Sequence, residues 1–144
     1  MERFKVNLYV ETNIKPPQRH DAKAMWLVEY VTHGQTFTRQ GIIEQEQTTI
    51  NQITLTALIE ALNILVKPCE IRINTQAESV CNTLGNSWHI QWQKNGWKNA
   101  KGNTVQNADL WEKVTDLMKN HICTFLCEDH PFRMVMQREL KKTA

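Results

Sequence analysis

Apolar and polar positions along this chain fall into stretches of period two and stretches of helical period, in a definite order. From about Phe4 to Thr12 the residues alternate and are rich in β-branched and aromatic types, which predicts a strand. Asn13 to Lys23, with Pro16-Pro17, reads as a polar loop. Ala24 to Thr32 predicts a second strand, His33-Gly34-Gln35 a tight turn, and about Thr36 to Ile43 a third strand, together an antiparallel meander. The period then changes. Ile50, Ile53, Ala57, Leu58, Ala61, Leu62 and Leu65 recur at helical spacing, predicting a helix from about Thr49 to Val66 that Lys67 and Pro68 end. A strand from Cys69 to Thr75 follows, then a short helix from about Ala77 to Leu84 with Gly85 as its stop. A helix opening at Trp88 ends at Gly96, and another runs from about Asn107 to Lys119. The last strand is Ile122 to Cys127, and proline opens a helix from about Pro131 to Lys141. The order βββαβαααβα implies an α/β fold with a five-stranded mixed sheet and helices on both faces.

Composition adds bounds to that outline. A chain of 144 residues, 41% hydrophobic and 22% charged, is expected to form a single domain over residues 1–144 with a full core. A net charge of +2 does not by itself imply nucleic acid, so only its distribution is informative. Basic residues gather at Lys94–Lys101 and in the tail, where Arg133, Arg138, Lys141 and Lys142 face only Glu139. The N-terminal residues lack a signal-peptide apolar region and no apolar run is long enough to cross a bilayer, so the expected location is cytoplasmic, away from membranes. Cys69, Cys81, Cys123 and Cys127 contain no Cys-x-x-Cys spacing, which fits reduced thiols. Cys123 and Cys127 are placed on one face of the last strand as core thiols, with a zinc pair involving Asp129 or His130 as the alternative. His20, His33, His89, His121 and His130 have no metal-ligand spacing, and no nucleophile elbow, phosphate loop or dinucleotide fingerprint is present.

The least ordinary stretch is Ser87 to Lys98, with three tryptophans and two lysines, continuing through Lys101 to Trp111. Between Asn86 and Asn107 there are three lysines and no acid. Aromatics interleaved with cations suit a nucleic-acid backbone and its exposed bases. Trp88 and Trp92, four apart, are expected to share a helix face, with Trp88 and Trp111 packing the stretch onto the domain.

Trp88-x-x-x-Trp92-x-x-x-Gly96-Trp97-Lys98, followed by Val105-x-Asn107-x-Asp109-Leu110-Trp111, resembles the substrate-binding handle of type I bacterial ribonucleases H. Thr48-Thr49-x-Asn51 leading into Leu55-x-Ala57 resembles the entry to that family's first helix, and the element order extends the resemblance over about residues 4–140. The resemblance implies nucleic-acid contacts from Trp88, Trp92, Lys94, Trp97, Lys98, Lys101, Thr49 and Asn51. It also implies four carboxylates that hold two Mg²⁺ ions about 4 Å apart for phosphodiester cleavage. Here the matching positions carry Glu11, Thr54, Gln76 and Gln137 or Arg138, so one carboxylate remains of four. Glu60 is expected to face elsewhere on its helix, while Glu128 and Asp129 lie beside the last strand. His130 matches the family's mobile-loop histidine but, with no metal site to serve, is expected to be a surface residue. The glycine-rich turn after the first strand is replaced by Asn13-Ile14-Lys15-Pro16-Pro17.

The expectation is therefore a catalytically inactive ribonuclease H-like protein that binds an RNA–DNA hybrid or duplex through its handle, with no cofactor. Two alternatives stand beside it. One is a protein-interaction or scaffold module, with a protein partner or a homodimer covering the handle. The other is residual hybrid cleavage through Glu11 with Mg²⁺ or Mn²⁺.

Overall fold

The computed structural model describes residues 3–14 and 19–142. Among them the elements follow the expected order: β1 (Phe4–Thr12), β2 (His20–Thr32), β3 (Gln35–Thr48), α1 (Ile50–Asn63), β4 (Cys69–Thr75), α2 (Glu78–Gly85), α3 (Trp88–Lys94), α4 (Ala108–Met118), β5 (Ile122–Leu126) and α5 (Arg133–Lys141). The strands form one sheet in the order β3-β2-β1-β4-β5. β1 lies antiparallel to β2 and parallel to β4, and β4 is parallel to β5. The α1 connection between β1's meander and β4 is the crossover that a parallel pair requires.

β1 is the central strand, so both of its faces are covered and its burial is nearly continuous. Val6, Leu8 and Val10 point to the main core, where α1 contributes Ile53, Ala57, Leu58, Ala61 and Leu62 and α4 contributes Trp111 and Val114. Tyr9 and Glu11 point to the other face. There α5 covers a smaller apolar cluster of Tyr9, Met25, Leu27, Met136 and Leu140, edged by Phe132. Burying side chains such as Met136 and Leu140 stabilises by about 1.5–3 kcal/mol each, so α5 is the more lightly anchored layer. No helix among the described residues is long and apolar enough to cross a membrane.

Several boundaries differ from expectation. β2 begins at His20, not near Ala24, which shortens the loop after β1; Lys15, Pro16 and Pro17 lie outside the described residues. β3 continues to Thr48 and not Ile43. It is an edge strand exposed over most of its length, so Glu44, Gln45 and Glu46 extend it without an apolar signal. α1 stops at Asn63, short of Val66, because the Ile64 and Leu65 amides turn back to the carbonyls of Ala61 and Leu62 at 3.3 and 3.1 Å. Pro131 precedes α5 without opening it. Cys127 falls just beyond β5 and is exposed, so it shares no buried face with Cys123. The described residues hold no group of three His, Cys, Asp or Glu side chains able to bind a metal, so the zinc alternative is not realised among them.

Two local fits show why the meander closes as it does. His33 and Gly34 both have positive φ, 52° and 75°, the primed turn that matches strand twist. Opposite Trp26, β3 places Gly41, where a Cβ would stand 2.7 Å from the indole. The indole fills that notch and donates to Glu60 Oε1 at 3.0 Å. Glu60 accordingly faces the sheet and not the cluster around Glu11.

Candidate nucleic-acid interface

Glu11 is a carboxylate on the central strand with only 1% of its side chain exposed. A buried charge persists only where its oxygens are satisfied. Oε2 lies 2.8 Å from His130 Nε2, and Oε1 accepts from Gln137 Nε2 at 2.8 Å. The same Gln137 amide donates to the Thr12 carbonyl at 3.2 Å, and Arg133 Nε stands 3.7 Å from Oε1. Facing a carboxylate, His130 Nε2 carries the hydrogen. The imidazole stacks on Tyr9 with centroids 4.4 Å apart and has 2% of its side chain exposed. The expectation of a surface histidine is therefore wrong. The backbone of His130 is on the surface, but stacking on Tyr9 and the bond to Glu11 turn its ring inward. His130 Nδ1 is buried and finds no partner among the described residues.

Of the two candidates for the last family position, Gln137 reaches Glu11, and Arg138 is exposed on the next position of α5. Arg133 belongs to the basic tail noted in the sequence but is not among the candidate site residues there. Its signal was the spacing Asp129-x-x-x-Arg133-x-x-x-Gln137, which puts all three on one side of α5 and its entry. Gln76, at the end of β4, donates to the Glu128 carbonyl at 2.7 Å, and Asn74 accepts from the Glu128 amide at 3.2 Å. Thr54 is fully buried on α1, and its Oγ1 finds no partner among the described residues. The side chains of Glu128 and Asp129 add no oxygen to Glu11, and Asp129 lies 3.8 Å from Arg133.

An open groove of about 700 Å³ leads from Gln76 between the start of α1 and the start of α4. Thr49, Asn51, Glu78, Gln106 and Asn107 line it. Thr49 is also the N-cap of α1, accepting from the Gln52 amide at 3.2 Å, and the buried Asn51 Oδ1 finds no partner among the described residues. The groove is thus walled mainly by neutral amides and hydroxyls.

The handle runs from α3 into the first turn of α4. Trp111 is 5% exposed and forms its base, with Trp92 edge-on at 5.8 Å and His89 stacked at 6.3 Å. Burial lowers the His89 pKa, opposed in part by a hydrogen bond to the Thr83 carbonyl. Trp88 does not pack as expected: it is 48% exposed. The cause is local, because α3 has seven residues and starts from Ser87 in the left-handed region, which swings its first residue outward. Gly96 and Trp97 both have positive φ, 68° and 64°, and turn the chain into a small loop closed by the Lys98–Thr104 bridge. The Asn99 side chain accepts from the amides of Lys101 and Asn103 at 3.0 and 3.1 Å. Trp97 is half-buried against the core. Lys94, Lys98 and Lys101 are exposed, and none forms an ion pair among the described residues.

A five-stranded mixed sheet with the order β3-β2-β1-β4-β5, an acid on its central strand and a Trp/Lys loop beside it define a ribonuclease H-like domain. The ribonuclease H family model matches residues 6–127. The chain belongs to the ribonuclease H family. A ribonuclease H of Clostridium botulinum is 39% identical over 79 residues, 55% of this chain and 53% of that protein. The match therefore spans about half the length of that relative. The crystal structure of LC9-RNase H1, a type 1 RNase H with the type 2 active-site motif, superposes with a TM-score of 0.79 at 19% identity, covering 96% of this chain and 71% of that one. The foamy viral protease–reverse transcriptase in complex with an RNA/DNA hybrid gives 0.65 at 13% identity, covering 95% of this chain and 19% of that one.

The family's two Mg²⁺ ions call for a set of hard, ionic oxygens. Glu11, Thr54, Gln76 and Gln137 offer one carboxylate, and hydrogen-bond donors already occupy both of its oxygens. These residues do not fit a two-metal centre.

Proposed function

We propose that this chain binds nucleic-acid duplexes, RNA–DNA hybrids first among them, through the handle and adjoining groove, and that it does not cleave them. The observation that carries the reading is the state of Glu11: the one acid left at the family's metal positions is buried and engaged by His130 and Gln137. Three further points support it. The lysines of the handle, exposed and without an ion pair among the described residues, stand in an acid-free stretch. A groove walled mainly by amides and hydroxyls, with Glu78 its one acid, runs from Gln76 to Gln106 and Asn107 at the foot of the handle. A structural neighbour of the same fold is seen with an RNA/DNA hybrid.

The physical logic is electrostatic. Four clustered carboxylates repel a phosphate unless cations stand between them. Neutral side chains at three of those positions remove the repulsion, so the backbone approaches without a divalent ion. Binding is expected to weaken with salt and to be the same in Mg²⁺ as in EDTA.

The test is a titration of a labelled RNA–DNA hybrid in both conditions, paired with a cleavage assay in Mn²⁺ against a Glu11→Gln control. No binding at low salt, or cleavage above that control, overturns the proposal.

A further inference from the structure

We infer that the positions matching the family's metal carboxylates have become a metal-free clamp that holds residues 128–137 on the sheet. The geometry is consistent at three of the four positions. Glu11 takes hydrogen bonds from His130 and Gln137, both at 2.8 Å. Gln137 is itself a second such position, and its amide spans two acceptors, Glu11 Oε1 and the Thr12 carbonyl. Gln76, a third, holds the Glu128 carbonyl at 2.7 Å, while its strand neighbour Asn74 takes the Glu128 amide. Of the four, Thr54 is left out, buried and without a partner among the described residues.

The chemistry explains why the exchange works. Two carboxylates facing each other at positions 11 and 137 would repel and need a cation between them. An amide at 137 reverses the sign: its N–H groups donate to Glu11, and hydrogen bonds to a charged acceptor are among the stronger ones. His130 and Arg133 bring further donors from the same segment. The helix α5 that it leads into has need of them. Met136 and Leu140 are the fully buried apolar side chains of α5, whereas Met134 and Val135 on its outer face are 76% and 47% exposed. A charge-assisted polar anchor therefore supplements a small apolar one. The clamp stands independently of nucleic-acid binding, because it is tested without nucleic acid.

Native-state hydrogen exchange in EDTA reads the clamp directly. Gln137→Met keeps side-chain length and helix propensity but removes both donations. Amides of α5 are expected to exchange roughly ten- to a hundredfold faster, the equivalent of one or two such bonds, with α1 amides much less affected. Gln76→Ala is a second, milder variant, freeing the Glu128 carbonyl and loosening the entry to α5. Gln137→Glu sets like charges together and is expected to lose α5 protection as well. Wild-type exchange is expected to be indifferent to millimolar Mg²⁺. The inference fails if α5 exchange is unchanged or slower in Gln137→Met, if α1 and α5 accelerate equally, or if Mg²⁺ protects α5 in the wild type.

Discussion

Replacing Lys94, Lys98 and Lys101 together by glutamine is the most direct perturbation of the proposed interface. All three are exposed and free of ion pairs among the described residues, so their charges are available to phosphate and their loss leaves no buried partner. Each phosphate neutralised on a duplex adds about 0.9 to the slope of log K against log salt. If each lysine meets one phosphate, the three contribute about 2.7. Between about 50 and 200 mM salt, a fourfold change, that slope amounts to about fortyfold in affinity. The wild type is expected to lose about fortyfold more than the triple variant over this range, with the two converging at high salt. Fluorescence anisotropy of a labelled hybrid in EDTA measures both lines. Thermal unfolding should be nearly unchanged, since surface charges away from ion pairs contribute little. Parallel lines would show that phosphate is met elsewhere and would refute the handle as the interface. Tryptophan substitution is less clean, because Trp97 packs against the core and its loss mixes folding with binding.

Three other outcomes follow from the packing. Gly41→Ala drives a methyl into the Trp26 ring at 2.7 Å and should destabilise by about 1–3 kcal/mol in urea unfolding. Below the ordinary histidine value of about 6.5, unfolded chains take up protons that the folded protein resists. Burial lowers the pKa of both His89 and His121, so stability should be full above that pH and decline as pH falls toward the folded values; His89→Gln should flatten the decline between pH about 7 and about 5. In native protein a thiol reagent near neutral pH should label Cys127, the exposed cysteine, first, whereas Cys123, pushed up to about 11 by burial, should react only after unfolding, as mass spectrometry would show.

The order of elements was legible because each carries its own period: alternating residues in β1 and β2, the 3.6-residue spacing of α1, and a proline near the end of α1. What the pattern missed was edge structure. β3 is solvated over most of its length, so Glu44 to Gln47 continue the strand while looking like loop. The site was half legible. Residue types at Thr54 and Gln76 announce missing charges, and Glu11 the one that is kept. The fate of Glu11, however, depends on His130 and Gln137, which come back across 119 and 126 residues of chain. No local spacing encodes that return. Trp88 illustrates the opposite limit: four-residue spacing to Trp92 predicts a shared helix face and Trp88 is expected to pack on the domain, but a left-handed Ser87 at the helix start leaves it 48% exposed.

That long return has a kinetic meaning. Bonds between residues 119 and 126 positions apart close nearly the whole chain into a ring. Their loop-closure entropy is met only after β1, β2 and the helices between have fixed the ends near one another. The bonds of Glu11 are therefore expected to form at the final stage of folding, when α5 docks. Interactions absent from the transition state act on unfolding rather than folding. Glu11 and Gln137 are thus expected to set how long the native state lasts, and to leave almost untouched how quickly it is reached.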